Sequence, residues 1–373
     1  MICVQFCIFT LSSTVTLLAK ITFARPENDF FQTLRTNVNA YFEKNNRLQS
    51  GDRRLYTKTV VLTVVTIAIY TVLLTIALPV WAGISLAFLM GIMQALIGFN
   101  IMHDACHGSY SSRKKINDLL SLSMNALGSD AFMWKQKHNL VHHTYTNIDG
   151  VDDDIQKAPL IRMAPTQPKV WAHKLQFLYI VPLYAISSFF WIMLKDFQEY
   201  FTTKKYNVKV DTMKRKDHYV FWISKALYIF MYIALPIMIW GWLPWMIGFL
   251  TMHGALGLAL SFVFQLAHVV ENVEFEHAHD EGTTEIGTEW AVHQLRTTSD
   301  FAVNNKVVSW FLGGLNYQVE HHLFPRISHV HYPEIQKIVA ETCAKYGVQY
   351  HYYPTTRKAL ASHFRHMYKL GRA

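Results

Sequence analysis

TVVLTVVTIAIYTVLLTIALPVWAGISLAFLMGIMQALIGFN, residues 59–100, runs for 42 residues without an Asp, Glu, Lys or Arg. A helix needs about 20 apolar residues to cross a bilayer, so this run is two crossings long. LPVWAG (78–83) breaks it near the middle. Pro and Gly punctuate helices, and Trp favours the membrane–water interface. Residues 226–267 repeat the design: 42 more uncharged residues, broken at WGWLPW (240–245). Two helical hairpins are expected, with spans near 59–79, 82–102, 219–240 and 244–267 and short turns on the far side. The fold class is all-α integral membrane, with one or two interfacial helices and a helical cytoplasmic cap.

Charge supports that reading. Only 16% of the 373 residues are charged, against roughly 25% in soluble proteins. All 35 Lys and Arg lie outside the two turns. Positive charge stays cytoplasmic. The N-terminus, segment 101–218 and segment 268–373 should therefore share the cytoplasmic side of a bacterial inner membrane or endoplasmic reticulum. Lys225, near a span entrance, is expected to snorkel. The net charge of +9 suits anionic headgroups or an acidic redox partner. No basic stripe or motif points to nucleic acid.

LQFLYIVPLYAISSFFWIML (175–194) is long enough to span. If it crossed, the lysine-rich segment 195–218 and the later histidines would face the wrong side. It reads as an interfacial helix. Residues 1–23 form an apolar extension without a positive leader region, either a membrane-associated helix or the result of a start assigned too far upstream. ARPENDFFQTLRTNVNAYFEKNNR (24–47) reads as an amphipathic helix, and 24–373 as one domain. Cys3, Cys7, Cys106 and Cys343 show no disulfide-like spacing, which fits a reducing compartment.

Histidines then gather at the span exits. HDACH places His103 and His107 at i and i+4, on one helical face. KHNLVHH repeats the spacing with His138 and His142, and an α-helix would turn His143 by about 100° from His142. FQLAHVVEN puts His268 at the mouth of the last span. QVEHH supplies Gln318, His321 and His322. Eight histidines exceed one tetrahedral zinc; they suit two metal ions, and an all-nitrogen shell suits a metal that binds dioxygen and changes oxidation state. The remaining histidines, among them His277, His279, His329, His331, His351, His363 and His366, read as packing or surface residues. His293 is placed beside the metal ligands. His253 lies inside a span, where polar groups often serve function, and is a candidate for the substrate path.

The boxes HxxxH, HxxxHH and QxxHH, in this order around two hairpins, resemble the membrane fatty acid desaturase family from about residue 24 to 352. GLNYQVEHHLFPRISHVHYP (314–333) and KHNLVHHTYTNIDGVDDDI (137–155) carry the resemblance most specifically. The glutamine in the third box is similar to the front-end branch, which places a cis double bond between an existing one and the carboxyl end. The resemblance implies a di-iron centre held by His103, His107, His138, His142, His143, His268, His321 and His322. Gln318 is implied as a weaker ligand with a longer or water-mediated contact. Asp104, Asn147, Glu320 and the run Asp152, Asp153, Asp154, with Asp153 at its centre, are candidates to orient the ligands. Trp134, Phe132 and Tyr317 are candidates to line an acyl tunnel, along with His253. Dioxygen is the co-substrate. No HPGG haem motif occurs, so electrons are expected from a separate cytochrome b5 or ferredoxin. The partners are then a fatty acyl substrate, as CoA or lipid ester, an electron carrier and the bilayer.

Breaking an unactivated C–H bond needs a metal-bound oxidant, because no side-chain acid or base can do it. A membrane di-iron hydroxylase is the neighbouring alternative. A non-enzymatic metal-binding or transport protein is a second, disfavoured because transporters place polar residues at mid-bilayer. GxSxG and HExxH motifs and Gly-rich phosphate loops are absent, which argues against hydrolases and nucleotide chemistry.

Overall fold

The computed structural model describes residues 20–202, 210–279 and 282–373. It is mostly helical. Five helices are long and apolar enough to cross a membrane: Arg53–Thr75, Val80–His107, Trp171–Phe201, Arg215–Trp240 and Trp242–His268. Four of them match the expected hairpin arms, and the second and fourth arms run on as single helices to His107 and His268. The turns fall where Pro and Gly interrupt the runs. Gly241 takes φ 81°, a conformation that favours glycine.

The inner arms, Val80–His107 and Trp242–His268, pack directly on each other. A Cβ at Gly91 would sit 2.1 Å from the Met252 carbonyl oxygen, so the two backbones touch there. Apolar lipid offers no hydrophobic drive between helices, and small residues that permit close approach supply the packing instead. The outer arm Arg53–Thr75 leaves Val60, Val64 and Ile67 exposed, as a lipid-facing helix does.

Helix Trp171–Phe201 leans on Trp242–His268. Gly257 admits the Tyr184 and Ala185 backbone, and Ser188 Oγ meets His253 Nδ1 at 2.9 Å. Both ends of this helix contact the histidine-bearing side. Gln176 Nε2 donates to the carbonyls of Met367 and Arg162 at 2.9 and 3.1 Å. At the other end Glu199 lies 3.7 Å from Lys137, beside His138. Lys225 does not snorkel. It turns inward to Asp196 at 2.7 Å and to the Gly128 carbonyl at 2.6 Å. The reason is that this buried carboxylate and carbonyl lie within reach, and a paired, hydrogen-bonded charge tolerates burial.

The cap is not purely helical. Three short parallel pairings join segments far apart in sequence: Lys20–Phe23 with Thr283–Ile286, Ile148–Asp149 with Glu276–His277, and Asp300–Phe301 with Tyr352–Tyr353. Irregular chain packed against histidines must satisfy its backbone groups, and these ladders do so. The last four residues of the expected 1–23 extension thus join the cap, with Ile21 buried and Phe23 stacked on Tyr145. The rest of that extension, including Cys3 and Cys7, lies outside the described residues. Within segment 24–47 the helix is Phe30–Lys44, burying Phe30, Leu34, Val38 and Phe42 against Ile335, Val339 and Cys343 of helix Tyr332–Tyr346.

Candidate metal centre

Four elements carry the histidines to one place. Helix Val80–His107 brings His103 and His107 and stops at Gly108, left-handed at φ 75°. His268 ends helix Trp242–His268. His321 and His322 sit on the short helix Gln318–Leu323. The second box lies on a π-helix, Gln136–His142. Its wider turn changes the expected geometry. His143 N–H donates to the His138 carbonyl at 3.1 Å, an i to i+5 bond. The π winding brings His143 back over His138, with the two Nε2 atoms 3.3 Å apart, instead of turning it sideways as an α-helix would. Such bulges recur at functional sites.

Among the described residues two all-imidazole groups of ligand atoms form, and a third joins His138 and His142 to Asp154. His103, His107, His138 and His321 offer nitrogens within 4.8 Å of one another, as do His142, His268 and His322. His143 lies between, with ring centroids 4.5 Å from His321 and 4.4 Å from His322. All eight are buried. Burial pushes His138, His143, His321 and His322 well below the ordinary imidazole range, and neighbouring imidazoles push the same way. These four rings are neutral, with lone pairs free to bind a cation.

The outward nitrogens are held. His142 Nδ1 donates to Asp152, 3.0 Å from Oδ2. His322 Nδ1 donates to Gln294 Oε1 at 2.9 Å. His321 Nδ1 meets the Tyr332 hydroxyl at 3.1 Å, and His268 Nδ1 points to the Thr297 carbonyl at 3.4 Å. The carboxylate and carbonyl oxygens can only accept, so they put the proton on Nδ1 of His142, His322 and His268 and leave Nε2 to bind a metal. The inward atoms of six rings have no partner: Nε2 of His103, His107, His142, His268, His321 and His322. A buried polar atom left unsatisfied costs about 1–3 kcal/mol. The six Nε2 atoms belong to the two ligand groups and fit two imidazole-ligated metal ions.

The other candidates divide. Asp104 sits 4.0 Å from His103 Nδ1 and ties it to the third-box region through Ser328 Oγ at 2.7 Å and His329 Nδ1 at 3.0 Å. Asn147, left-handed at φ 56°, as Asn tolerates, donates from its backbone to Asp152 and from Nδ2 to the His268 carbonyl at 2.9 and 2.8 Å. In the acidic run Asp152 and Asp154 face His142. Asp153 lies within electrostatic reach of Lys157 and Lys195, a reach that Asp154 shares. Glu320 points away from the imidazoles to a buried carboxyl pair with Asp300, capped by the Tyr350 hydroxyl, 2.5 Å from Asp300 Oδ2. Gln318 is buried with Nε2 unpartnered. Gln294 and the Asp300–Tyr350 pair lie at scattered positions that no spacing announces, while His329 and Tyr332 fall within the 314–333 stretch but outside its histidine box. His293 Nε2 meets the Thr146 carbonyl at 2.9 Å.

A narrow cavity of about 40 Å³ reaches His103 between Trp134, Trp191, Phe99, Leu260 and Phe264. Trp134 lines it, while Phe132, Tyr317 and His253 do not. Tyr317 packs in the cap core with its hydroxyl on the Val303 carbonyl. Both nitrogens of His253 are engaged, by Ser188 and by Tyr228.

The sequence matches the family model for fatty acid desaturase over residues 79–354. It is 34% identical to an sn-1 linoleoyl-lipid 6-desaturase of Arthrospira platensis over 95% of both chains. A protein of the same description from Synechocystis sp. is 34% identical over 92% of this chain and 96% of its own. An acyl-lipid (8-3)-desaturase of Physcomitrium patens is 36% identical over 95% of this chain and 74% of its own. Long apolar helices, two clusters of inward-facing histidines and a match over most of its length together place this chain in the fatty acid desaturase family, as a multi-pass membrane oxidoreductase.

Proposed function

We propose that this chain is a front-end acyl desaturase, inserting a cis double bond between an existing double bond and the carboxyl end of a lipid- or CoA-bound chain. The ring of inward, unpartnered imidazole nitrogens carries this reading. The QxxHH box and the 6- and (8-3)-desaturases among its relatives support the front-end position. We assign one iron to His103, His107, His138 and His321 and the other to His142, His268 and His322. His143 lies between them, and Gln318 is a weaker, water-mediated ligand.

Bound there with dioxygen and two electrons, the iron pair supplies the oxidising power to take two hydrogens from adjacent unactivated carbons. The protein's own residues do the positioning. Asp152, Gln294 and the Thr297 carbonyl hold the Nδ1 protons of His142, His322 and His268, and the Tyr332 hydroxyl bonds His321 Nδ1, so each ring is aimed. Burial keeps the rings described above neutral. The aromatic and aliphatic walls beside His103 bind the acyl chain, exclude water and fix which carbons face the metals.

The domain is residues 24–373, with the pairing of residues 20–23 continuing it. Four helices cross the membrane as two hairpins, and Trp171–Phe201 lies along the cytoplasmic face. Support comes from its two ends, which both bond to the cap, and from the placement of Lys and Arg. A separate cytochrome b5 or ferredoxin docks on the basic cap.

Expression in a host fed linoleate and α-linolenate tests the proposal, with fatty acids read by gas chromatography–mass spectrometry and iron measured on purified protein. A new carboxyl-side double bond, lost together with iron in His142→Ala, is expected. A hydroxylated product, or full activity and iron in His142→Ala, refutes it.

A further inference from the structure

Where the two hairpins meet, on the side away from the histidines, all four arms line a second cavity of about 470 Å³. That volume falls in the range of small-molecule pockets, about 300–1,000 Å³. The metal centre does not use it, and it shares no lining residue with the narrow space beside His103. Its mouth lies between the turns, where Ile76, Val80 and Leu243 are exposed. Its closed end is at Met90, Phe249 and Met252, all buried. From Val80 to Met90 the helix rises about 15 Å at about 1.5 Å per residue. This is half of a hydrocarbon core about 30 Å thick, the depth of one leaflet.

The walls are held apart and offer carbon almost throughout. The Tyr70 hydroxyl donates to the Met231 carbonyl at 2.6 Å, Trp240 Nε1 to the Leu73 carbonyl at 2.9 Å and Trp245 Nε1 to the Tyr232 carbonyl at 2.9 Å. These polar atoms are therefore spent on neighbouring backbone, and two of the bonds tie helix Arg53–Thr75 to helix Arg215–Trp240. Trp245 also stacks on Phe249 with ring centroids 5.3 Å apart. Rings fixed in this way cannot swing inward to close the space. Two lining glycines keep it open as well. A Cβ at Gly83 would meet nothing within 4 Å, and one at Gly248 only the Ala87 Cβ at 3.9 Å. Glycine weakens a helix relative to alanine, and neither a close backbone approach nor a positive φ calls for it at these two positions.

We infer that this cavity binds one acyl tail of a membrane lipid, drawn from the leaflet opposite the histidines, as a part of the folded protein distinct from any substrate. The surroundings at this depth are lipid, the mouth opens beside the lipid-facing turns, and the lining recognises hydrocarbon. An apolar cavity stays dry and accepts apolar guests. A tail seated there supplies the contacts that the four arms do not make with one another, in a solvent that gives helices no hydrophobic drive to associate. The inference rests on the two-hairpin topology and is independent of the reaction.

The test reconstitutes the full chain in nanodiscs of phosphatidylcholine whose saturated tail carries a diazirine near its methyl end. A saturated tail has no existing double bond, so it is not a substrate under the front-end reading. Irradiation and peptide mass spectrometry are expected to place crosslinks on Met90, Phe249 or Met252, which bulk lipid does not reach because they are buried. Crosslinks confined to outward residues such as Val60, Val64 and Ile67 overturn the proposal. A second readout is thermal. A ligand that binds only the folded state makes the unfolding midpoint depend on its concentration, so the wild-type midpoint in detergent should rise as phosphatidylcholine is added. Gly83→Leu combined with Gly248→Leu fills the cavity from both inner arms. The filled variant should lose the inner crosslinks and most of the lipid-dependent rise. A filled variant that folds and keeps both overturns the proposal. If it does not fold, the crosslinks on the unsubstituted protein decide alone. Failure of the two-hairpin topology is read separately, from the side on which Trp242→Cys reacts with an impermeant reagent.

Discussion

Asp152→Asn separates two neighbouring carboxylates and tests how the second box is oriented. Asp152 is almost fully buried. Its oxygens accept from His142 Nδ1 at 3.0 and 3.2 Å, from the Asn147 amide at 2.9 Å and from the Asp154 amide at 3.0 Å. An asparagine offers one oxygen for these donors and turns its NH₂ on at least one of them. A lost hydrogen bond to a charged group costs about 1.5–3 kcal/mol, and loss of a partner behind a metal-bound histidine typically costs about 10–100-fold in metal affinity. The Asp153→Asn control removes a neighbouring charge within reach of Lys157 and Lys195, while the ion pairs of His142 are with Asp152 and Asp154. Iron retention by detergent-purified protein, titrated against a ferrous chelator, reads the difference. We expect Asp152→Asn to lose iron at about a tenth to a hundredth of the chelator concentration that strips the wild type, with Asp153→Asn within about twofold of it. Equal iron affinity in the two variants would refute the argument that the 152–154 turn presents alternate carboxylates to His142.

Gln294→Leu strips the acceptor from both His322 Nδ1 and Thr146 Oγ1, and should lower iron occupancy and fatty acid conversion together. Gln294→Glu, which keeps an acceptor oxygen, should restore much of both. Gly91→Val forces a side chain into the Met252 carbonyl; overpacking of this kind costs about 1–3 kcal/mol, and a lower thermal aggregation midpoint in detergent would report it. His253→Phe removes a residue bonded to Ser188 and Tyr228, so it should destabilise the protein while leaving iron per folded molecule unchanged; parallel loss of iron would show that His253 belongs to the metal site. Single cysteines introduced at Trp171, Phe201 and Trp242 map the topology. The first two should react with an impermeant thiol reagent from the cytoplasmic side and the third from the opposite side. Reaction of Trp171→Cys and Phe201→Cys from opposite sides would make that helix a fifth crossing.

The hairpins were legible because the solvent writes them into the chain: lipid tolerates no charge over two long runs, and no other pattern competes with that signal. The histidine clusters were legible for a related reason, since i, i+4 spacing at a helix exit survives small changes in winding. The π-helix over residues 136–142 was not. HxxxHH fits an α-turn equally well, and the wider winding depends on packing that spacing does not encode. The choice of Asp152 over Asp153 is a matter of turn geometry that three consecutive aspartates leave open. Lys225 looks from sequence like a snorkelling anchor, because its partner Asp196 lies 29 residues earlier and only the tertiary arrangement brings them together. Gln294 had no motif around it, and Tyr332, though inside the 314–333 stretch, belongs to none of the histidine boxes.

The three parallel pairings carry a consequence for biogenesis. The centre draws on residues from His103 to His322, and its cap is laced by partners as far apart as Lys20 with Thr283 and Asp300 with Tyr352. Pairings of such long range form late, because loop closure must precede them. During synthesis both hairpins enter the membrane while the first two histidine boxes wait without the third. If the centre holds iron as proposed, loading belongs to a time after the chain beyond Tyr353 has left the ribosome, and an inserted chain without metal keeps a cap whose inward imidazoles have no partner. On that reading metal binding is the last step of assembly, and it fastens together segments that the chain delivers at widely separated times.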